Sequence, residues 1–382
     1  MRRAIRPPRI AILDDLFPHP ISGFRFEEFS SYLEQMRGVS VHCNGGALRG
    51  GLREKRSIQD LIAEYVAARR RFSRRVHPLL PGPLPEADAY YAIFLHNIAH
   101  YVEAIEHTKR PFAFTLYPGG SFRMRDKCSD DKLRRVCGSP LLRKVIVTQP
   151  CTLSYLAEGR FLSPAKILYL QGGVVPRAAF VASGRRAHFG LSKQTLDIGF
   201  VANRNMPMGE DKGYDLFVET ARALTRQGLN AIYHVVGPWD ATIVPLGDSF
   251  GQFIFYGFLS TEKLRELGGR LDLILSPNRP DVVGEGAFDG FPTGSCVEVG
   301  LQGAAIFCTD VLKLNTAFRD GVDIVLIEPD VDDILRRLMP IIQQPRLLAQ
   351  IGKNGQRRLK KIFGREVQLP PRLAVLRALC KG

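Results

Sequence analysis

No apolar run in the 382 residues approaches the roughly 20 positions a membrane-spanning helix requires. Cysteine is sparse: the seven are scattered, odd in number, and none forms a C-x-x-C pair. That pattern excludes a disulfide frame and a zinc site of common spacing, and predicts a reduced, cytoplasmic protein. The opening MRRAIRPPRIAILDD has a basic head, but its apolar stretch stops at Asp14 and Asp15. It is too short for a secretory segment and predicts a first β-strand instead. Internal repeats and low-complexity segments are missing. So are helix-turn-helix, zinc-finger and RNA-binding aromatic motifs, which argues against a nucleic-acid partner. No Asp-x-Asp pair stands in a metal-binding setting, so no catalytic divalent ion is expected.

Acidic residues are in deficit: 38 Asp and Glu face 53 Lys and Arg, for a net charge of +15. The arginines gather early, in segments 2–9 and 69–75. Such a surface attracts polyanions by its long-range field, and peripheral contact with an anionic membrane face is the partner it suggests. A solvated helix face that only keeps the chain soluble is the competing account. Hydrophobic content of 45% and charged content of 24% are ordinary for a globular protein, and the length suits two domains with separate cores.

Apolar runs alternate with amphipathic ones along the chain. Strands are expected over 9–13, 39–43, 88–94, 111–116, 144–148 and 166–170, with helices over 24–36, 58–72 and from 152. Segment 176–193 loses periodicity and reads as a linker. Strands then recur over 196–201, 232–236, 253–258, 271–275, 304–308 and 324–327. Helices are expected over 214–227, 263–267, 331–343, 345–363 and 373–379. Alternation of this kind predicts an α/β chain with two Rossmann-like, doubly wound parallel sheets. The domains are 1–175 and 194–363, with 364–382 as a terminal helix. Ligands of such sheets bind outside the carboxyl ends of the strands. Loop residues there become site candidates: Gly23 and Arg25 after the first strand, His96 (His100 in reserve) after the third, Gly119 and Gly120 after the fourth.

The richest stretch is 284–310, GEGAFDGFPTGSCVEVGLQGAAIFCTD. Strand, glycine loop, helix start and strand form the local grammar of an anion site, because amides at a helix start are unpaired and point outward. Asp289 and Glu298 flank the loop and are able to accept from sugar hydroxyls. The same residues also fit a plainer account. Ser295-x-x-Glu298 has capping-box spacing, and Gly290 and Gly294 suit turns. In the second half, Arg204 and Lys212 precede a helix start.

DGFPTGSCVE followed by VGLQGAAIFCTD resembles the signature of the retaining GT-B glycosyltransferases, the glycosyl transferases group 1 family, whose usual form is close to EGFPxxxxE. Here Asp289 replaces the first Glu, and the spacing to Glu298 is one residue longer. FVANRNMPMGEDKGYDLF, HVVGP, FYGFLS and SPNRP fall in the family's order, so the likeness covers roughly 196–343. The resemblance implies the GT-B fold, with two Rossmann-like domains facing a central cleft, the first taking the acceptor and the second the nucleotide sugar. It implies that Glu298 binds the nucleotide ribose, beside Gly290, Thr293, Gly294, Ser295 and Gly237. Arg204 and Lys212 would hold the diphosphate, Asp289 the donor sugar, and His96 would lie near that sugar. Gly23, Arg25, Gly119 and Gly120 are left as acceptor contacts. The implied activity is metal-independent transfer of a hexose, with retention, from a UDP- or GDP-linked donor to a glycan or lipid-linked acceptor at the inner face of the membrane. No cofactor is expected. A sugar-nucleotide epimerase or hydrolase on the same fold is the competing enzyme. A basic nucleic-acid or anionic-surface binding protein with a relic donor site is the competitor from another class.

Micromolar binding of UDP or GDP that a chelator leaves unchanged is the expected result of a titration. Salt-sensitive DNA binding without nucleotide affinity would reverse the ranking.

Overall fold

Ile10–Asp14 (β1) is buried at all five positions, as a strand covered on both faces of a parallel sheet must be. The computed structural model describes residues 7–48, 56–184 and 186–380. Arg2, Arg3 and Arg6 of the basic head, Arg185 of segment 176–193, and Lys381 and Gly382 lie outside the described residues. The chain divides into two compact units, Met1–Val174 with Arg365–Gly382, and Val175–Gly364.

In the first unit β1 is joined by Val39–Cys43 (β2), Val76–Pro78 (β3), Ala89–Ile93 (β4), Phe112–Leu116 (β5), Leu142–Val147 (β6) and Ile167–Tyr169 (β7). All pairs are parallel, in the order β3-β2-β1-β4-β5-β6-β7. Parallel neighbours need crossovers, supplied by Gly23–Gln35 (α1), Ile58–Ala68 (α2), Leu95–Thr108 (α3), Lys127–Cys137 (α4) and Pro150–Glu158 (α5). The order runs outward from β1 to β3, then restarts on the other side of β1 with β4. The loops after β1 and β4 therefore diverge at their carboxyl ends.

The second unit repeats the plan. Its strands are Leu196–Val201 (β8), Ala231–Val236 (β9), Phe253–Phe255 (β10), Leu273–Ser276 (β11), Ala305–Thr309 (β12) and Val325–Ile327 (β13). They pair in parallel in the order β10-β9-β8-β11-β12-β13, so the reversal falls between β8 and β11. Tyr214–Arg226 (α6), Thr261–Gly268 (α7), Gly294–Gly300 (α8), Val331–Ile342 (α9) and Pro345–Phe363 (α10) accompany them. Arg365–Leu379 (α11) then belongs to the first unit. Among the described residues no helix is long and apolar enough to cross a membrane.

Several elements depart from the sequence reading. β3, α3 and α4 were not anticipated. α3 starts directly after β4, with Phe94 at φ 69 making the turn, so His96 lies in a helix rather than a loop. α2 stops at Ala68, and Arg70–Phe72 forms a separate 3-10 turn. Part of the expected basic face is structural: the Arg69 guanidinium lies 4.7 Å from the Tyr65 ring, and Arg75 donates to the Met36 and Val39 carbonyls. Segment 176–193 lies in the second unit, where Arg186 donates to the carbonyls of Gly268 and Gln302 and Gln302 donates to the Ala179 carbonyl. α11 begins eight positions before its expected start at 373, running through Pro370 and Pro371. Proline disfavours a helix interior. Here burial of Leu369, Leu373, Leu376 and Leu379 in the first unit's core offsets that cost.

α11 also carries Arg372, fully buried, into that core. Its Nη1 donates to the Gln368 carbonyl at 3.1 Å, and its Nη2 to the Gly172 carbonyl at 2.9 Å. Its Nε lies 3.9 Å from Glu28 Oε2. Glu28, equally buried, accepts from the hydroxyls of Tyr32 (2.9 Å), Tyr91 (2.6 Å) and Tyr117 (2.7 Å). Burial and the Glu28 charge together push all three phenols up. Removing one charge of such a pair strands the other. Arg372→Ala is expected to cost about 3–5 kcal/mol, and Arg372→Met with Glu28→Gln markedly less. Urea unfolding followed by a signal from the first unit checks both values.

Candidate active site

In the second unit, the loop leaving β8 closes in a 3-10 turn, Glu210–Lys212, ending at Gly213. Gly213 has φ 68, and a Cβ there would fall 2.1 Å from the Pro277 carbonyl oxygen. Only glycine permits this approach, and it brings Lys212 against the end of β11. Lys212 Nζ donates to Asp289 Oδ1 at 2.8 Å and Oδ2 at 2.6 Å, and lies 3.4 Å from Asp211 Oδ2. Asn278 Nδ2 donates to Asp289 Oδ2 at 2.6 Å, while Asn278 Oδ1 accepts from Ser276 Oγ at 2.7 Å. Thr309 Oγ1 donates to the Asn278 carbonyl at 2.6 Å. Loops from β8, β11 and β12 are thus tied at one point. Burial lowers the affinity of Lys212 for its proton, but the charges of Asp289 and Asp211 outweigh it and raise the ammonium above its ordinary value.

α8 follows that loop. Its N-cap is Thr293, whose Oγ1 accepts from the Cys296 amide at 3.5 Å and lies 3.1 Å from Ser295 Oγ. Ser295 sits inside the first turn, so the Ser295-x-x-Glu298 capping box does not form. Glu298 makes no hydrogen bond or ion pair among the described residues. The side chain is half-buried, and the protein packed around it pushes the carboxyl up to about 7. Gly290 and Thr293 line a crevice with Asp289, Phe291, Asp310 and Arg279. Gly294 opens α8, and a Cβ there would meet open space. Gly237 ends β9, its amide donating to the Gly257 carbonyl at 2.9 Å.

Arg204 is exposed, with Nη1 donating to the Pro207 carbonyl of its own loop at 3.2 Å. Arg279 is the cation that lines the crevice, its Nη2 on Asp215 Oδ2 at 2.7 Å. In the sequence Arg279 is part of SPNRP. Its place directly after a strand end was the signal available.

The first unit has its own cluster where its strand order reverses. Arg25, expected to face an acceptor or phosphate, is instead buried. Its Nη1 donates to Asp15 Oδ1 at 2.6 Å and approaches Asp14 Oδ1 at 3.3 Å. Asp14 also accepts the Leu16 and Phe17 amides at 2.9 and 2.7 Å, and Asn97 Nδ2 reaches Asp15 Oδ1 at 3.2 Å. His96 Nε2 meets Asp15 Oδ2 at 2.9 Å, which assigns the proton to Nε2 and leaves the buried Nδ1 without a partner. Burial pushes both acids up. For Asp14 it prevails over Arg25, whereas the hydrogen bond from His96 and the Arg25 charge hold Asp15 well below the usual carboxylate range. Gly120, at φ 55, passes so close to Phe94 that a Cβ would clash at 2.5 Å, and its carbonyl accepts the His96 amide at 3.0 Å. Gly119 forms the same turn, Gly23 opens α1, and His100 is exposed against Tyr101, outside the cluster.

Glu298 has a folded value near 7 against 4.5 ordinarily. An acid raised in this way binds more protons folded than unfolded, so its contribution is present at low pH and is lost as pH rises through 7. Glu298→Gln is expected to match the wild-type melting temperature near pH 4, below the ordinary value, and exceed it at pH 8. Thermal melts across that range, without ligand, check this.

No family model matches the chain, and no curated protein matches it by sequence. Solved structures do match it in shape. HepE from Anabaena, in complex with UDP, is 15% identical with a TM-score of 0.64, covering 97% of this chain and 100% of that one. Sucrose-phosphate synthase from Thermosynechococcus elongatus is 14% identical with a TM-score of 0.61, covering 97% and 99%. A UDP-forming trehalose-phosphate synthase from Burkholderia xenovorans is 11% identical with a TM-score of 0.62, covering 98% and 99%. The chain has the GT-B fold that these glycosyltransferases share.

Proposed function

We propose that the chain is a glycosyltransferase that moves a hexose from a nucleotide diphosphate sugar to a glycan or lipid-linked acceptor, with retention and without a metal. The observation that carries this is Glu298. Its carboxyl has no hydrogen-bond or ion-pair partner among the described residues, and it stands on the helix that follows the Lys212–Asp289 loop. Ribose hydroxyls are the donors it lacks. Their hydrogen bonds favour the charged carboxylate and draw its affinity for protons back down. The Anabaena HepE structures contain UDP and UDP-glucose, which supports a uridine nucleotide as the first donor to try.

Bond cleavage places growing negative charge on the diphosphate. Lys212 and Arg204 serve as the cations that stabilise it, and Arg279 adds a third on the crevice wall. Retention and metal independence rest on the resemblance of the Asp289–Glu298 stretch and on the absence of an Asp-x-Asp pair in a suitable setting. Under retention the acceptor hydroxyl attacks on the face the phosphate leaves, so the protein's part is orientation and electrostatics. The basic surface supports an acceptor held at an anionic membrane face.

Incubation with a panel of nucleotide sugars, analysed for transferred sugar in the presence and absence of EDTA, tests the reading. Lys212→Ala and Arg204→Ala are each expected to lower turnover about 10²-fold or more with the fold intact. Near wild-type rates in both variants would remove the phosphate-clamp assignment. Sugar release or epimerisation without transfer would favour the competing enzyme.

A further inference from the structure

Lys212 stands between two carboxylates, and only one of them is placed to leave. Asp211 is buried, with Oδ2 accepting from Asn205 Nδ2 at 2.8 Å. Asp289 is 37% exposed and rides on a loop with Gly284 and Gly286 before it and Gly290 after it. One ammonium against two carboxylates leaves a net charge of −1 at the point where a diphosphate would bind. A phosphate is repelled by that arrangement; once Asp289 withdraws, Lys212 and Asp211 sum to zero and the ammonium is freed to hold it. Both Asp289 oxygens lie on Nζ, at 2.8 and 2.6 Å, the way two oxygens of a phosphate would.

We infer that Asp289 is a placeholder for the donor's diphosphate on Lys212, and thereby a specificity residue that separates the intact nucleotide sugar from the spent nucleotide. This rests on the donor-site reading above. The diphosphate takes over Lys212, and the displaced carboxylate, which Asn278 Nδ2 otherwise helps to hold there at 2.6 Å, turns to the hydroxyls of the attached sugar. A nucleoside diphosphate without a sugar displaces Asp289 and gives it nothing in return. It therefore binds less well, which favours release of product. The exchange is of ion pairs only; no covalent bond forms or breaks in it.

Calorimetric titration of the full chain with inorganic pyrophosphate, UDP and UDP-glucose tests the exchange, with melting curves to confirm folding. In Asp289→Asn, pyrophosphate and UDP are expected to bind about tenfold tighter than in the wild type, and the preference for UDP-glucose over UDP to shrink accordingly. Adding Lys212→Met abolishes the gain. Asn278→Ala, which keeps the carboxylate but removes its tether, gives a smaller gain of the same sign. Unchanged or weaker pyrophosphate binding in Asp289→Asn overturns the proposal, even where sugar transfer persists. A gain for pyrophosphate, with no nucleotide sugar bound or consumed, upholds the exchange and overturns the donor reading instead.

Discussion

Parallel pairing governs this molecule. Each strand hydrogen-bonds to neighbours running the same way, so the chain must cross over through a helix before it can add another. Crossovers cover both faces, which is why β1, β4, β5 and β12 are buried throughout. One direction of growth cannot continue indefinitely; each sheet restarts beside its first strand, at β1/β4 and at β8/β11. At those two places the outgoing loops part, and the polar residues of the protein converge there. Nearly everything chemical described above follows from that one reversal, made twice.

The two reversal points are built differently. In the first unit, Asp14, Asp15, Arg25, Asn97 and His96 pair with one another, and His96 Nδ1 and Arg25 Nε are left without a hydrogen-bond partner among the described residues. In the second, Lys212 and Asp289 are paired, while Glu298 has no partner among the described residues. A network that is closed rigidifies its loops, while a polar group without a partner is open to one from outside the chain.

Much was legible without coordinates. Buried parallel strands are continuous apolar runs bounded by Gly, Pro and Asp, so strands over 39–43 and 196–201 were read with their observed bounds. α10 was too, because Pro345 starts it and Gly364 follows it. Misreadings came where tertiary contacts overrule local pattern. α3 follows β4 with no turn residue between them, only Phe94 held at positive φ. α11 runs through two prolines because its leucines and Arg372 are buried. Ser295 has capping-box spacing, but Thr293, one position before the helix, takes the cap.

The sequence by itself determined the α/β alternation, most of the strands, and the two stretches that hold Lys212 and Asp289 with Glu298, since periodicity, glycine loops and charge are local properties. Pairing is not local. Only the tertiary structure decided that Arg25 is consumed by the buried Asp14 and the half-buried Asp15, that Arg279 lines the crevice, and that Asp289 already holds Lys212. The physical reason is that a charge's role depends on which opposite charge the fold brings within a few ångströms and how much water is excluded around the pair. Residues 77 positions apart acquire that relation only when β8 and β11 lie side by side.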